Sequence, residues 1–258
     1  LTAMAAFPLM LPGTSRPPKL VVFDLDHTLI ACDATILWTE FLYEKKIVTD
    51  PIWRQYDRDM VKSYAKGVLD IRDFCRKHAG AFRSIPEEKL HALAQEFAKK
   101  KIAPLIFPDG KKWVKNALQA NIPACVLSAS AAFIVKPIAK LFGLTDAMGI
   151  ELAFKDGFCT GEIVGIPTFQ EGKVERLSQR LAEAGIGFED VLFFTDSRND
   201  LPLAERAGYT VCVNPDAVLE SSARKNGWKV AEWKLSLRTQ MTAQVDAKGV
   251  PETQTVRS

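Results

Sequence analysis

The 258-residue sequence has no uninterrupted apolar run near the ~20 residues that a membrane-spanning helix needs, so no contact with the bilayer is expected. Charge of one sign is not in excess. Lys and Arg number 34 against 31 Asp and Glu, a net +3, and no dense basic block is present, so nucleic acid is not an expected partner. The triplet at 99–101, KKK, reads as the solvated end of a helix. Cysteine is sparse and odd in number: Cys32, Cys75, Cys125, Cys159 and Cys212, with no pair at metal-ligand spacing. Cys125 and Cys212 sit inside apolar runs, where a thiol acts as a small hydrophobe. Reduced thiols and a cytoplasmic location are the expectation. Residues 1–18 lack a basic n-region and are broken by Pro8 and Pro12, which makes a poor signal peptide. The chain opens on Leu1, so Met4 and Met10 are candidate initiators. Residues 1–18 and the polar, aperiodic 236–258 are expected to be disordered.

What the sequence does contain is four short apolar runs of the kind buried on both faces of a parallel sheet: LVVFDLD (20–26), IPACVLSAS (122–130), VLFFTDS (191–197) and YTVCVNPD (209–216). Helical patterns separate the later runs. AAFIVKPIAKLFG (131–143) and KVERLSQRLAEAG (173–185) each close on glycine, and the second places Val174, Leu177 and Leu181 on one face. Alternating strands and helices predict an α/β fold with right-handed crossovers. FKDGFCTGEIVG (154–165) predicts a β-hairpin turning at Asp156-Gly157.

Residues 33–104 differ. They hold helical segments and no buried strand, and predict a helical insertion large enough for a small lid. Asp33 and Asp70 are in N-cap position. Ser84 and Glu87 have capping-box spacing, with Leu90, Leu93 and Phe97 at helical intervals behind them. The expected division is a core from 19–32 and 105–235, with 33–104 as a cap.

Three of the four strands end in small polar or acidic residues: Asp24, Asp26 and Thr28; Ser128 and Ser130; Asp196, Asn199 and Asp200. Open α/β sheets bind ligands at the carboxyl ends of their strands, so these side chains should converge on one crevice. Four clustered carboxylates cannot all stay ionised without a cation, and hard oxygen donors suit Mg²⁺. A Mg²⁺ held by so few carboxylates commonly bridges to a phosphate, which needs further donors. Ser128 supplies a hydroxyl, and Lys173 stands at the start of the helix that leads to the third strand. Ser130 reads as the N-cap of the helix at 131–143, and strand alternation turns His27 away from Asp24 and Asp26.

FDLDHTL, VLSAS, EGKVERL and FFTDSRNDLPLAERAG, in that order, resemble the four motifs of the haloacid dehalogenase superfamily of phosphohydrolases. The helical insertion directly after the first motif is similar to the cap of the phosphoserine-phosphatase-like branch, subfamily IB. The likeness covers about residues 19–232. It implies a Rossmann-like core with a helical cap, and Mg²⁺-dependent hydrolysis of a small phosphorylated metabolite through an aspartyl-phosphate. It makes Asp24 the nucleophile and Asp26 the acid and base. Asp24, the Asp26 carbonyl and Asp196 become the metal ligands, with Ser128 and Lys173 stabilising the phosphoryl oxygens. Thr28, Asn199 and Asp200 take supporting places. Ser128 and Ala129 are expected at the substrate.

In phosphoserine phosphatases an acidic residue at the offset of Asp33 binds the substrate amine, a role that Asp33 matches with a shorter side chain. A cap arginine holds the substrate carboxylate in those enzymes. Here His78 falls at that place, with Arg72, Arg76 and Lys77 nearby. That departure counts against phosphoserine as the substrate. Trp38, Trp53, Tyr56, Arg54 and Arg58 are candidates for selectivity, with packing in the core of the cap an equal reading for the three aromatics. Phosphoserine hydrolysis, phosphoryl transfer to another alcohol, and a catalytically silent phospho-ligand binder are the alternatives. The oligomeric state is left open by the sequence.

Overall fold

The computed structural model describes Leu11 and residues 16–235. The expected disordered ends fall mostly outside these residues. In chain order the described elements begin with β1 (Leu20–Phe23), α1 (Ala34–Glu44), α2 (Ile52–Lys66), α3 (Ile71–His78), α4 (Glu87–Phe97), α5 (Pro108–Gln119), β2 (Ala124–Ala131) and α6 (Ala132–Lys140). They continue with β3 (Ala147–Ile150), β4 (Leu152–Lys155), β5 (Phe158–Ile163), α7 (Glu171–Ala184), β6 (Val191–Thr195), α8 (Leu201–Ala204), β7 (Tyr209–Val213), α9 (Ala217–Asn226) and β8 (Lys229–Ala231). No described helix is long and apolar enough to cross a membrane.

The core is a six-stranded sheet in the order β3-β2-β1-β6-β7-β8, with every pairing parallel. The α/β expectation is met, and the four apolar runs are its four central strands. All four residues of β1 are buried, because β1 is paired on both sides and covered on both faces. Val21 and Phe23 pack into the larger core, while Leu20 and Val22 pack with Val174, Leu177 and Leu181 of α7. Alternation along one strand thus serves two layers of helices.

Four helices of the 33–104 stretch, α1 to α4, lie between β1 and β2. Asp33 caps α1 by accepting from Ile36 N, and Asp70 caps α3 by accepting from Arg72 N and Asp73 N. The capping box at Ser84 does not form. Ser84 is exposed, Pro86 occupies the N-cap of α4, and Glu87 N donates instead to Gly157 O in the hairpin turn. That hairpin, β4–β5, turns at Asp156 and Gly157 with φ of 52° and 79°, as the sequence predicts. The helix at 131–143 stops at Lys140, so Gly143 closes the turn beyond it rather than its cap; α7 does end on a left-handed Gly185. All five cysteines are free.

Candidate active site

β1 stops at Phe23, so Asp24 and Asp26 are not held by strand alternation. Asp24 N still donates to Phe194 O of the neighbouring strand. Then the chain tightens: Thr28, Leu29 and Ile30 all donate to Leu25 O, and His27 takes a φ of 54°. This turn, rather than a two-residue repeat, brings both carboxylates into one cavity. The positive φ leaves His27 exposed at the cavity wall, so the outward, structural placement read from alternation does not hold.

Each carboxylate has its own partners. Asp24 Oδ1 accepts from Lys173 Nζ at 2.8 Å, and Asp24 Oδ2 accepts from the Thr28 hydroxyl at 3.4 Å. Asp26 Oδ1 accepts from Ala34 N at 2.7 Å, and its Oδ2 from the hydroxyls of Ser130 at 2.8 Å and Ser128 at 3.3 Å. Ser130 therefore does not cap α6, whose N-cap is Ala131; it holds Asp26, and its hydroxyl also meets that of Thr35 at 3.1 Å. Asp200 accepts from Lys173 at 2.7 Å and from the Thr195 hydroxyl at 2.7 Å. Asp196 Oδ1 lies 3.3 Å from the Thr28 hydroxyl, so Thr28 stands between Asp24 and Asp196.

Burial sets the electrostatics. Desolvation raises Asp24 above the usual carboxylate range against the pull of Lys173, and it raises Asp196 further because Asp24 and Asp200 repel its charge. Asp26 is pushed up to about 6, by burial first and by Asp33 second. Asp200 is likewise pushed up to about 6 by burial, though Lys173 draws it down. Lys173, buried to 1 % exposure, is held charged above its usual range because two carboxylates outweigh its desolvation.

The cavity has a volume of about 300 Å³. Its floor is Asp24, Asp26, Asp196, Ala129 and Ser130. Asp33, Thr35 and Ile36 form one side, and a wall from residues 60–74 closes it, with Met60, Val61, Tyr64, Leu69, Ile71 and Phe74. No Lys or Arg is among the described residues that line it. Lys173 reaches the site from behind Asp24, and Ser128, fully buried, touches it through Asp26 while Thr168 donates to its carbonyl.

The expected selectivity residues are elsewhere. Trp38 packs in the core against Phe97 and Phe133. Trp53 contacts Tyr56, Arg54 pairs with Glu40 over the Tyr43 ring, and Arg58 donates to Gln55. His78 is buried away from the cavity, stacked on Phe74, with its Nε2 at 3.0 Å from the Thr39 hydroxyl and 3.5 Å from Asp57. Arg72 donates to Gly165 O and Lys77 pairs with Asp73. The sequence reading missed the wall of residues 60–74 because α2 is polar overall and its inward face is one narrow stripe. It missed Ser130 because a serine ahead of a helix reads as a cap.

Among the described residues no three His, Cys, Asp or Glu side chains converge as metal ligands. What the site offers is two carboxylates, Asp24 and Asp196, drawn to one Thr28 hydroxyl. Mutually repelling, desolvated oxygens of this kind suit a hard divalent cation that completes its shell with backbone, water and phosphate oxygens.

Residues 21–205 match the family model described as haloacid dehalogenase-like hydrolase. A histidinol-phosphatase of Neisseria meningitidis is 36% identical over 220 residues, covering 84% of this chain and 99% of the relative. A phosphoserine phosphatase of Mycobacterium tuberculosis is 27% identical over 239 residues, 89% of this chain and 77% of the relative. Among solved structures, a Bordetella pertussis protein described as of unknown function superposes with a TM-score of 0.74 at 32% identity, covering 82% of this chain and 96% of that one. A substrate-bound phosphoserine phosphatase superposes at 0.63 with 21% identity, over 88% and 99% of the two chains, and shows the same fold.

Proposed function

The chain belongs to the haloacid dehalogenase-like hydrolases and is a phosphoric monoester hydrolase, and from that premise we propose that Asp24 carries the phosphoryl group between substrate and water. The observation that carries this reading is the asymmetry at Asp24: one oxygen is held at 2.8 Å by Lys173, and the other makes a longer contact, 3.4 Å, with Thr28. A carboxylate held this way is oriented without being consumed by its own hydrogen bonds.

In the first step an Asp24 oxygen attacks phosphorus, the bond from phosphorus to the leaving oxygen breaks, and protonated Asp26 gives that oxygen its proton. In the second, Asp26 takes a proton from water, the water oxygen attacks phosphorus, and the bond to Asp24 breaks. Asp26 suits both roles, because a carboxyl pushed up to about 6 exchanges protons near neutrality. Asp24, the main-chain carbonyl of Asp26 and Asp196 would hold Mg²⁺, which supplies positive charge to the phosphoryl oxygens. Ser128 and Ser130 keep Asp26 in place, and Lys173 stabilises charge beside Asp24. Residues 33–104 act as a cap over the core, with the wall of residues 60–74 limiting the substrate to a small phosphorylated metabolite.

The cavity chemistry favours a leaving alcohol with an amine and an apolar or flat stem, and no carboxylate. Asp33 and the rings of Tyr64 and Phe74 border the cavity, and no Lys or Arg is among the described residues that line it to pair a carboxylate. Histidinol phosphate, the ester named for the Neisseria relative, has that chemistry; phosphoserine does not. The test is phosphate release from a panel holding histidinol phosphate, phosphoserine and amine-free esters, with and without Mg²⁺. Metal-dependent release led by the amine-bearing, carboxylate-free ester is expected. Equal or better release from phosphoserine would overturn the substrate reading.

A further inference from the structure

The cap segment meets the core at the end of α2, where two side-chain amides grip the helix terminus. Asn199 Nδ2 donates to Tyr64 O at 3.0 Å. Gln170 Nε2 donates to Gly67 O at 3.3 Å and to Asn199 Oδ1 at 3.0 Å, so the two amides also hold each other. Gly67 caps α2 in the left-handed region, with φ of 73°. Tyr64 O also accepts from Gly67 N at 2.9 Å, so the Asn199 amide supplies a second donor at the negative end of the helix, where amide donors are well matched. Tyr64 is also a cavity-wall residue, and its ring lies 5.8 Å from that of Phe169, which precedes Gln170.

On the core side both amides stand beside the catalytic groups. Asn199 adjoins Asp200, and Gln170 is three residues before Lys173, the two ends of the buried ion pair. Gln170 has φ of 48° and ψ of −123°, a conformation that suits glycine and that a side chain makes costly. Glycine would relieve that strain, yet a residue with a long amide occupies the position. The amide is what the strained turn delivers to α2.

We propose that Gln170 and Asn199 are positioning residues that latch α2 over the cavity, setting its apolar wall against the leaving group while Lys173 and Asp200 stay aligned on Asp24. The consequence for turnover rests on the phosphatase reading above; the latch itself rests on the contacts. Gln170→Gly keeps the turn and deletes the amide, and Gln170→Glu keeps the shape while setting a carboxylate against two carbonyls.

Amide hydrogen exchange on the full chain reads the latch directly. In both variants the amides of residues 61–68 should exchange about fivefold faster, the factor one ordinary hydrogen bond confers, with β1 and β6 unchanged. With p-nitrophenyl phosphate and Mg²⁺, kcat/KM should fall by a similar factor. Exchange at 61–68 that stays at the wild-type rate in both variants overturns the latch, whatever the activity does. Faster exchange with unchanged kcat/KM overturns the positioning role. Faster exchange with no phosphate release from the wild type leaves the latch standing and removes the phosphatase reading.

Discussion

Lys173 Nζ and Asp24 Oδ1 are 149 residues apart in sequence and 2.8 Å apart in the fold, both buried. The ammonium also contacts Asp200 at 2.7 Å, so one cation serves two desolvated carboxylates. Replacing it by the similarly long, neutral side chain in Lys173→Met leaves both uncompensated. Phosphatase activity should fall by on the order of 10²- to 10³-fold, and stability to urea by about 3–5 kcal/mol. Initial rates and an unfolding curve measure the two effects; a variant as stable and active as the wild type would mean the pair is ornamental.

Asp33 has two tasks that one substitution separates. Its carboxylate caps α1 through Ile36 N and also borders the cavity. Asparagine caps as well as aspartate but carries no charge. Asp33→Asn should therefore keep stability within about 0.5 kcal/mol. It should raise KM for an amine-bearing ester on the order of 10- to 100-fold, and leave KM for an amine-free ester alone. Parallel KM losses on both esters would show a general distortion instead.

Asp57 and His78 form a buried pair that does not line the cavity. Neither Asp57 oxygen has a hydrogen-bond partner, and His78 Nε2 is 3.5 Å away. Burial pushes Asp57 up to about 7 and His78 down to about 4. Below about pH 6.5 the folded pair keeps one proton, on Asp57, and the unfolded pair also keeps one, on histidine, so the pair adds little pH dependence between about 4 and 6.5. His78→Gln exposes the raised Asp57 alone. The folded chain then binds more protons than the unfolded one, and stability should fall as pH rises from about 4 to 7. Asp57→Asn leaves the lowered His78, and stability should fall as pH drops from about 6.5 to 4. Either slope approaches 1.4 kcal/mol per pH unit relative to wild type, read from urea midpoints across pH. Slopes of the same sign in both variants would refute the shared-proton account.

Ser130 donates to Asp26 at 2.8 Å, a bond that favours the charged carboxylate. Its removal in Ser130→Ala raises Asp26 further. Because the first step needs Asp26 protonated, the alkaline limb of the kcat/KM profile should move to higher pH. A shift to lower pH would show that Asp26 is not the acid.

The four central strands were legible because burial on both faces makes each an unbroken apolar run, as in β1 and β6. The edges were not. β8 has two of its three residues exposed, and β3 is four residues beginning at a half-buried Ala147, so neither has a pattern to read. The acidic strand ends were legible as a group because open sheets gather ligands there, but their geometry was not: the turn at Leu25 O replaces strand alternation. Selectivity residues were misplaced for a related reason. Trp38 meets the core while Met60 meets the cavity, a division that helical spacing does not carry. That choice is made by tertiary packing.

The most direct test of the account is transfer of label to Asp24. The protein is mixed with a ³²P-labelled ester of the best class in the presence of Mg²⁺, quenched in acid within one turnover, and digested for peptide mapping. Label on the peptide that holds Asp24, lost in Asp24→Asn together with phosphate release, is the predicted result. Full phosphate release from Asp24→Asn, or label on another residue, would contradict the account.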